Sequence, residues 1–248
     1  QPTHDTDVLG LAFGSLRSCA ETDQRLLAAM PAPWSYEEAS AMPTTWVTVW
    51  TCLEELAGMR SGDNVLVQAA TGGVGLMAVQ CAQAAGARVC ATAGRAEKRT
   101  YLHSIGTNTT STTRDSAAFV DEIGAVLGGW LDVVLNSLTH DEYVPEAAKM
   151  ISKGGRFVEI GKRGIWSRSR MADQNVRYCV VAMDVQCSLD PAWQHIAMSG
   201  LHTRVTAGYH AQRPLPLHVF ELRGAGVEAF RMLQRASQIG KVVVTLQD

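Results

Sequence analysis

The sequence lacks the motifs of several common functional classes. Its 6 cysteines form no C-x-x-C pair and no Cys/His cluster at zinc-ligand spacing, so no metal site is predicted. Its 7 histidines lie in unrelated segments, and neither H-E-x-x-H nor G-x-S-x-G occurs, which leaves metalloprotease and hydrolase chemistry without support. With a net charge of -2 and no block of Lys and Arg, neither nucleic acid nor a membrane is an expected partner.

The sequence also lacks a signal peptide, a transit peptide and an apolar run of about 18 residues. Most cysteines have apolar neighbours, which is typical of reduced core thiols and fits a cytoplasmic location. The opening QPTHDTDVLG has no initiating methionine, and its pattern predicts no element there. We therefore expect a piece of a longer polypeptide, with little or no activity by itself.

What the sequence does contain is a regular alternation of strand and helix patterns from Asn64 onward. β-Rich apolar runs predict strands, and apolar residues at helical spacing predict helices. The predicted strands are 64–69, 88–93, a weak polar strand at 108–113, 131–136, 155–161 and 176–184, and the predicted helices are 74–85, 96–105, 116–127 and 141–151. This order is typical of βαβ units around a parallel sheet rather than of a sandwich or a helical bundle.

The two ends of the chain follow a different pattern. Residues 1–42 contain Pro31 and Pro33 and lack the βαβ alternation, whereas 212–248 predicts two strands around a helix. We interpret these ends as two parts of a second domain, which a nucleotide-binding domain at 43–211 interrupts.

A glycine-rich turn joins the first of these strands to the first helix. Gly73-x-Gly75-x-x-Ala78 fits the G-x-G-x-x-G/A fingerprint, in which residues without a Cβ let backbone N–H groups approach a pyrophosphate at a helix N-terminus. The predicted contacts are Thr71, Gly72, Gly73, Val74 and Gly75. The alternative is a tight structural turn in an α/β domain of other purpose.

The residues after the second strand indicate which dinucleotide would bind. An NAD site places Asp or Glu there, on the ribose 2′-hydroxyl, but this chain has ATAGRAEKR. Arg95, Lys98 and Arg99 are donors suited to a 2′-phosphate, so NADPH is the predicted cofactor. The alternative is a solvated basic start of a helix.

Four motifs span nearly the whole chain, namely VLVQAATGGVGLMAVQCAQAAGARV, LDVVLNSL, GGRFVEIGK and VEAFRMLQRASQIGKVVVTL. Together they resemble the enoylreductase domain of modular polyketide synthases, a zinc-free group in the medium-chain dehydrogenase/reductase superfamily. The resemblance implies an α/β fold in which a doubly wound parallel Rossmann sheet is inserted in a partial, mostly β GroES-like substrate domain. It also implies NADPH-dependent reduction of an enoyl thioester on acyl carrier protein, with neighbouring polyketide synthase domains as partners and the oligomeric state left open.

The implied reaction needs a proton donor. Hydride adds to the β-carbon, negative charge gathers on the thioester oxygen, and a proton must then reach the α-carbon. Lys162 follows the fifth predicted strand and Asp184 ends the sixth, at the edge where open α/β sheets bind ligands. The resemblance implies that Lys162 donates the proton and that Asp184 is its charged neighbour. A solvated loop Lys, a capping Asp and a proton from water are the alternatives.

The resemblance also implies cofactor contacts outside the glycine turn. These are Thr48, Asn136, Ser137, Leu138, Ile160, Gly161 and Lys241. The alternatives are a core position for Thr48, an ordinary polar loop after the fourth strand, and a surface position for Lys241.

Three other functions fit the same motifs. A free-standing quinone or enone reductase shares the glycine turn and needs no carrier protein. A cyclopropane-forming reductase variant is not excluded by any residue of the sequence. A catalytically degenerate domain would keep the fold as a scaffold for its neighbours.

Overall fold

A computed structural model describes residues 6–112, 115–127, 130–138, 143–174, 176–208 and 214–246. Its strands are β1 Val8–Gly10, β2 Leu27–Ala29, β3 Asn64–Val67, β4 Arg88–Thr92, β5 Thr109–Ser111, β6 Leu131–Asn136, β7 Ile151–Glu159, β8 Arg177–Val180, β9 Leu217–Glu221 and β10 Lys241–Thr245. Its α-helices are α1 Tyr36–Ala41, α2 Pro43–Val49, α3 Gly73–Ala84, α4 Ala96–Ser104, α5 Ser116–Leu127, α6 Tyr143–Lys149, α7 Arg168–Ala172, α8 Met183–Leu189, α9 Pro191–Thr206 and α10 Leu222–Gln234.

The chain forms two compact units. The first contains the described residues of Gln1–Thr48, Gly72–Met77 and Met183–Asp248, and the second those of Val49–Thr71 and Ala78–Ala182. The domain boundaries predicted after residues 42 and 211 stay predictions. In the part of the chain that the structure describes, no helix is both long and apolar enough to cross a membrane.

The second unit contains a parallel sheet of six strands in the order β5-β4-β3-β6-β7-β8. Its central strand β3 is buried along its whole length, as expected of a strand with helices on both faces of the sheet. Leu66, Phe119, Leu131 and Phe157 are among the fully buried side chains of its core. The predicted α/β class and the order of strands and helices are confirmed.

The last two strands of the sheet differ from the prediction. Strand β7 ends at Glu159, and β8 ends at Val180. Asp184 therefore does not end a strand, as predicted, but lies in the first turn of α8. A carboxylate is favourable there because the N-terminal end of a helix carries partial positive charge. The prediction failed because VRYCVVAMD is apolar over most of its length, and a short helix start has the same composition as a strand.

Other predicted bounds shift by a few residues. Helix α6 starts at Tyr143, and residues 141, 142 and 113 of the predicted elements lie outside the described residues. The sequence pattern missed helix α9 and the π-helix Trp50–Leu56.

The first unit contains two small sheets. Strands β1 and β2 pair antiparallel, and β9 and β10 pair in parallel with α10 between them in sequence, which confirms the two strands around a helix predicted near the C-terminus. Helix α9 belongs to this unit, and Trp46 Nε1 donates to the backbone oxygen of Ala197 at 2.7 Å.

A partly buried ion pair connects β7 to the loop before β3 in the second unit. Arg156 Nη2 lies 2.5 Å from Asp63 Oδ2, the two side chains are 19% and 16% exposed, and Arg156 Nε donates to the backbone oxygen of Ala57 at 2.8 Å. Asp63 also accepts from the backbone N–H of Arg60. Removing one partner would leave the other charge without compensation away from water.

We predict that Arg156→Met lowers the free energy of unfolding by about 3 kcal/mol. The double variant Arg156→Met with Asp63→Asn should lose less than the single one, because the asparagine introduced there would carry no charge and could still accept from Arg60. Urea unfolding of both variants measures the difference. Equal losses would contradict the role assigned to the pair.

Candidate functional site

The turn between β3 and α3 changes the direction of the chain within five residues, Gln68–Gly72. Ala69 has a φ of 49°, a left-handed conformation that is uncommon for a residue with a Cβ. Its backbone N–H donates to Thr92 Oγ1 of β4 at 3.1 Å, which holds this conformation in place. The predicted contacts Thr71, Gly72, Gly73, Val74 and Gly75 lie at the end of this turn and the start of α3.

Gly73 is closely packed against the side chains of Lys241 and Thr45, so a Cβ there would require a neighbour to shift. A Cβ on it would lie 2.4 Å from Lys241 Cδ and 3.0 Å from Thr45 Cγ2, and Gly72 forms a parallel bridge with Gly240. Burial lowers the pKa of Lys241. Within the first unit, Gly72, Gly73 and the start of β10 thus form one cluster, in which the aliphatic part of the half-buried Lys241 side chain packs against Gly73.

Three basic residues follow β4 in the second unit. Arg95 immediately precedes α4, and Arg99 Nη1 donates to the backbone oxygen of Ala93 at 3.2 Å. Burial lowers the pKa of Lys98 and the positive charge of Arg95 lowers it further, whereas the carboxylate of Glu97, 3.9 Å from Arg95 Nη1, opposes this shift. The end of β4 itself carries no carboxylate, and an exposed one, Glu97 in the first turn of α4, lies beside Arg95.

These features fit a dinucleotide. The turn presents glycine backbone beside Lys241, and the basic residues after β4 suit a phosphate better than a ribose hydroxyl pair.

A row of buried polar side chains crosses the sheet of the second unit at the carboxyl ends of its strands. The pairs Thr92–Ser111 and Asn136–Glu159 are in register, and Gln68 extends β3 by one residue into the same row. All five are at most 2% exposed. We call Ser111, Thr92, Gln68, Asn136 and Glu159 the polar row.

Members of the polar row differ in their hydrogen bonds. Thr92 and the pair Asn136–Glu159 have partners, whereas Gln68 Oε1, Gln68 Nε2 and Ser111 Oγ have none among the described residues. The backbone oxygen of Gln68 accepts from Ser137 Oγ at 3.1 Å. Buried amides without partners are unusual in proteins and commonly mark a place where a ligand or water binds.

Glu159 joins the turns that follow β6 and β7. Asn136 Nδ2 donates to Glu159 Oε2 at 2.5 Å, and the backbone N–H of Gly161 donates to Glu159 Oε1 at 2.6 Å. Asn136 also bonds the backbone of Leu138 through both its amide nitrogen and its oxygen. Burial raises the pKa of Glu159, and the two donors oppose that shift. The side chain of Asn136 is thus fully engaged within the protein.

The remaining predicted residues are distributed as follows. Lys162 is exposed and lies three residues beyond β7 in the second unit, whereas exposed Asp184 belongs to the first unit. Thr48 is buried, and its Oγ1 donates to the backbone oxygen of Thr44 at 2.7 Å. The backbone N–H of Ile160 donates to the oxygen of Asn136 at 2.9 Å. The roles predicted for these residues stay predictions.

The sequence interpretation missed Gln68 and Glu159. Both lie in mainly apolar strand patterns, NVLVQA and GRFVEIG, directly after apolar residues of the sheet core. A Glu is rarely buried without partners, so its position in an apolar strand could have indicated a functional or bracing role. Among the described residues, no group of three or more His, Cys, Asp or Glu side chains could hold a metal ion.

Comparison with known proteins places this geometry among reductases. A family model described as zinc-binding dehydrogenase matches residues 73–184. The spectinabilin polyketide synthase system protein NorB of Streptomyces orinoci is 39% identical over 241 residues, which are 96% of this chain and 11% of that protein. The chain thus spans about a tenth of the length of this relative.

Three solved structures are similar over most of the chain. The JamJ enoyl reductase is 34% identical with a TM-score of 0.85, and the CurF ER cyclopropanase from the curacin A biosynthetic pathway is 34% identical with a TM-score of 0.86; each match covers 91% of this chain and 67% of the other. The quinone oxidoreductase of Thermus thermophilus, solved also in complex with NADPH, is 32% identical with a TM-score of 0.73, over 89% of this chain and 70% of the other.

We predict that Gly73→Ala destabilises the protein by about 1–3 kcal/mol, because the new methyl group would overlap Lys241 and press on Thr45. Gly200→Ala in α9 is the matched control, since a Cβ there meets nothing within 4 Å. The control should be neutral or stabilising by about 0.5–1 kcal/mol. Thermal unfolding compares the two, and equal stability would contradict the close packing of the glycine turn.

Proposed function

Because the chain belongs to the enoylreductase domains of modular polyketide synthases, in the medium-chain dehydrogenase/reductase superfamily, we propose that it reduces the α,β-double bond of an enoyl thioester with NADPH. The thioester is carried on acyl carrier protein, and neighbouring polyketide synthase domains supply and remove it. The observation that carries the proposal is the glycine turn packed against Lys241, with basic residues instead of a carboxylate after β4.

The proposed cofactor contacts follow from the chemistry of each group. The backbone of Gly72, Gly73 and Gly75 suits the pyrophosphate, and half-buried Lys241 adds a positive charge beside that turn. Arg95 and Lys98 suit the 2′-phosphate, because two cations form stronger hydrogen bonds with a charged phosphate than with a neutral hydroxyl, and Glu97 is an exposed partner of Arg95 only.

NADPH, when bound, supplies the hydride for the β-carbon. The protein has to stabilise the charge that gathers on the thioester oxygen and deliver a proton to the α-carbon. We assign the proton to Lys162 Nζ, in the turn whose backbone is held by Glu159. The resemblance to the family gives Asp184 a charged role in the protonation. In the second unit, Ser137 and Leu138 lie in the turn after β6, and Ile160 lies in the turn after β7 that also contains Lys162.

Two observations favour alternative functions, which the experiment below distinguishes from the proposed one. The similarity to a quinone oxidoreductase favours an enone or quinone substrate as the second choice, and the similarity to a cyclopropanase favours ring closure as a variant of the same chemistry. A scaffold without catalysis would keep the fold and the cofactor site.

The proposal predicts that the intact polypeptide containing this chain consumes NADPH with a crotonyl thioester and forms the saturated butyryl thioester in equal amount. Loss of NADPH absorbance and mass spectrometry of the product measure both. Faster turnover of a simple quinone would favour the quinone reductase. Formation of a cyclopropane from a 4-chlorocrotonyl thioester, whose chloride leaves as the α-carbon bonds to the γ-carbon, would favour the cyclopropane-forming variant. Binding of NADPH without turnover would favour the scaffold, and absence of binding would refute the interpretation of the glycine turn.

A second prediction concerns the choice between NADPH and NADH. Arg95→Ala with Lys98→Ala should raise the Kd for NADPH about 10- to 100-fold, equivalent to about 1.4–2.8 kcal/mol, and leave that for NADH nearly unchanged. Lys149→Ala with Arg231→Ala removes the same charge from exposed helix positions and serves as the control. Titration of intrinsic fluorescence measures both affinities. Equal weakening of NADH and NADPH, or none, would contradict the phosphate assignment.

A further inference from the structure

The Glu159 carboxyl group accepts from donors on two different turns. One donor is the side-chain amide of Asn136, at the end of β6, and the other is the backbone N–H of Gly161, beyond the end of β7. We call Asn136, Glu159 and the Gly161 N–H the brace. Because Asn136 also bonds Leu138 in both directions, the brace fixes residues 136–138 and 160–161 with respect to each other.

The brace depends on the chemistry of a carboxyl group. Glu159 is 2% exposed and Asn136 is 0% exposed, so water cannot readily replace a lost partner. A carboxylate offers acceptors on both oxygens, whereas the amide of a Gln has one oxygen and one NH₂ group. A Gln at this position could satisfy one of the two donors, and its NH₂ group would face the other.

Burying a carboxyl group in a sheet is unfavourable unless the group is hydrogen-bonded. Burial raises the pKa of Glu159, and its charge raises the pKa of neighbouring Tyr178, whose pKa of about 12 is chiefly a result of burial. Tyr178 Oη donates to the backbone oxygen of Trp166 at 3.1 Å, so the hydroxyl group of this neighbour is engaged elsewhere. The hydrogen bonds of the Glu159 carboxyl group run to the two turns.

We propose that Glu159 is a positioning residue for the reduction: through the backbone of Gly161 it sets the place of Lys162, and through Asn136 it sets the turn 136–138. This inference rests on the proposed function, because Lys162 is the assigned proton donor there. Loosening the brace displaces the donor, and protonation of the α-carbon becomes slower relative to hydride transfer. Misplacement of a reacting group by about 1 Å costs on the order of 100-fold in rate.

The test compares Glu159→Gln with a swap of the two brace side chains. In Glu159→Gln we expect kcat with a crotonyl thioester and NADPH to fall about 10- to 100-fold, with the Kd of NADPH changed less than about 3-fold. The solvent deuterium isotope effect on kcat should rise, because protonation becomes rate-limiting. Merely reduced stability would lower the active fraction and leave that isotope effect unchanged.

The double variant Asn136→Asp with Glu159→Gln preserves size and total charge and reverses the donor pattern. The introduced glutamine then accepts from Gly161 and donates to the introduced aspartate, which still accepts from Leu138, so most of the brace re-forms. We expect kcat and the isotope effect to recover toward the wild type. Glu146→Gln, which breaks an i,i+3 pair with Lys149 on a helix, is the control and should leave all values unchanged.

Hydrogen-exchange mass spectrometry of peptides that cover 136–138 and 160–162 gives a readout that needs neither cofactor nor turnover. Exchange should be faster in Glu159→Gln and normal in the swap. Unchanged exchange and an unchanged isotope effect in Glu159→Gln would overturn the proposal. A loss of activity that the double variant does not restore would also overturn it, because the negative charge at position 159, rather than the hydrogen bonds of the brace, would then support the reaction. If the wild type reduces no enoyl thioester, the proposed function fails, and the exchange data alone decide whether the brace exists.

Discussion

Polar side chains buried at the end of a parallel sheet need hydrogen-bond partners, from the protein itself or from a bound water or ligand, because they are shielded from bulk solvent. In this chain the constraint applies to five strands at once, since Ser111, Thr92, Gln68, Asn136 and Glu159 share one register row. Where partners are present, they include backbone groups of the turns that follow the strands: Thr92 holds Ala69, and Glu159 holds Gly161. The conformation of these carboxyl-edge loops is therefore set from within the sheet.

The glycine turn follows from the same constraint. Ala69 adopts a positive φ, which costs about 1–2 kcal/mol for a residue with a Cβ, and the bond from its N–H to Thr92 offsets part of that cost. The turn then delivers Gly73 to the start of α3, where it packs closely against Lys241. Strain at the turn and close packing at its end together fix the backbone at the start of α3.

The sheet and its helices could be predicted from sequence because hydrophobic periodicity and glycine punctuation are local signals. The pattern predicted β6 and α5 with correct ends, and it located the glycine turn. It placed Asp184 at the end of a strand, because an apolar run before a short helix has the composition of a strand. It missed α9, because the apolar residues of this helix are not concentrated on one face. The sequence pattern could not predict the brace, because Asn136 and Glu159 are 23 residues apart and come together only through strand pairing.

The presence of a carboxyl group in the polar row is difficult to explain by stability alone. Well-packed apolar side chains in place of a buried polar or ionic pair are often neutral or stabilising, so Asn136 and Glu159 are not the choice that maximises stability. Instead, their hydrogen bonds constrain the geometry of the two loops, because hydrogen bonds depend on angle and distance more strongly than apolar contacts do. A reaction that must place a proton donor within a fraction of an ångström gains from such direction. Glu159 therefore makes physical sense as a device for holding two loops in register at the edge of the sheet, because the assigned proton donor, Lys162, directly follows the residue whose N–H the carboxyl group binds.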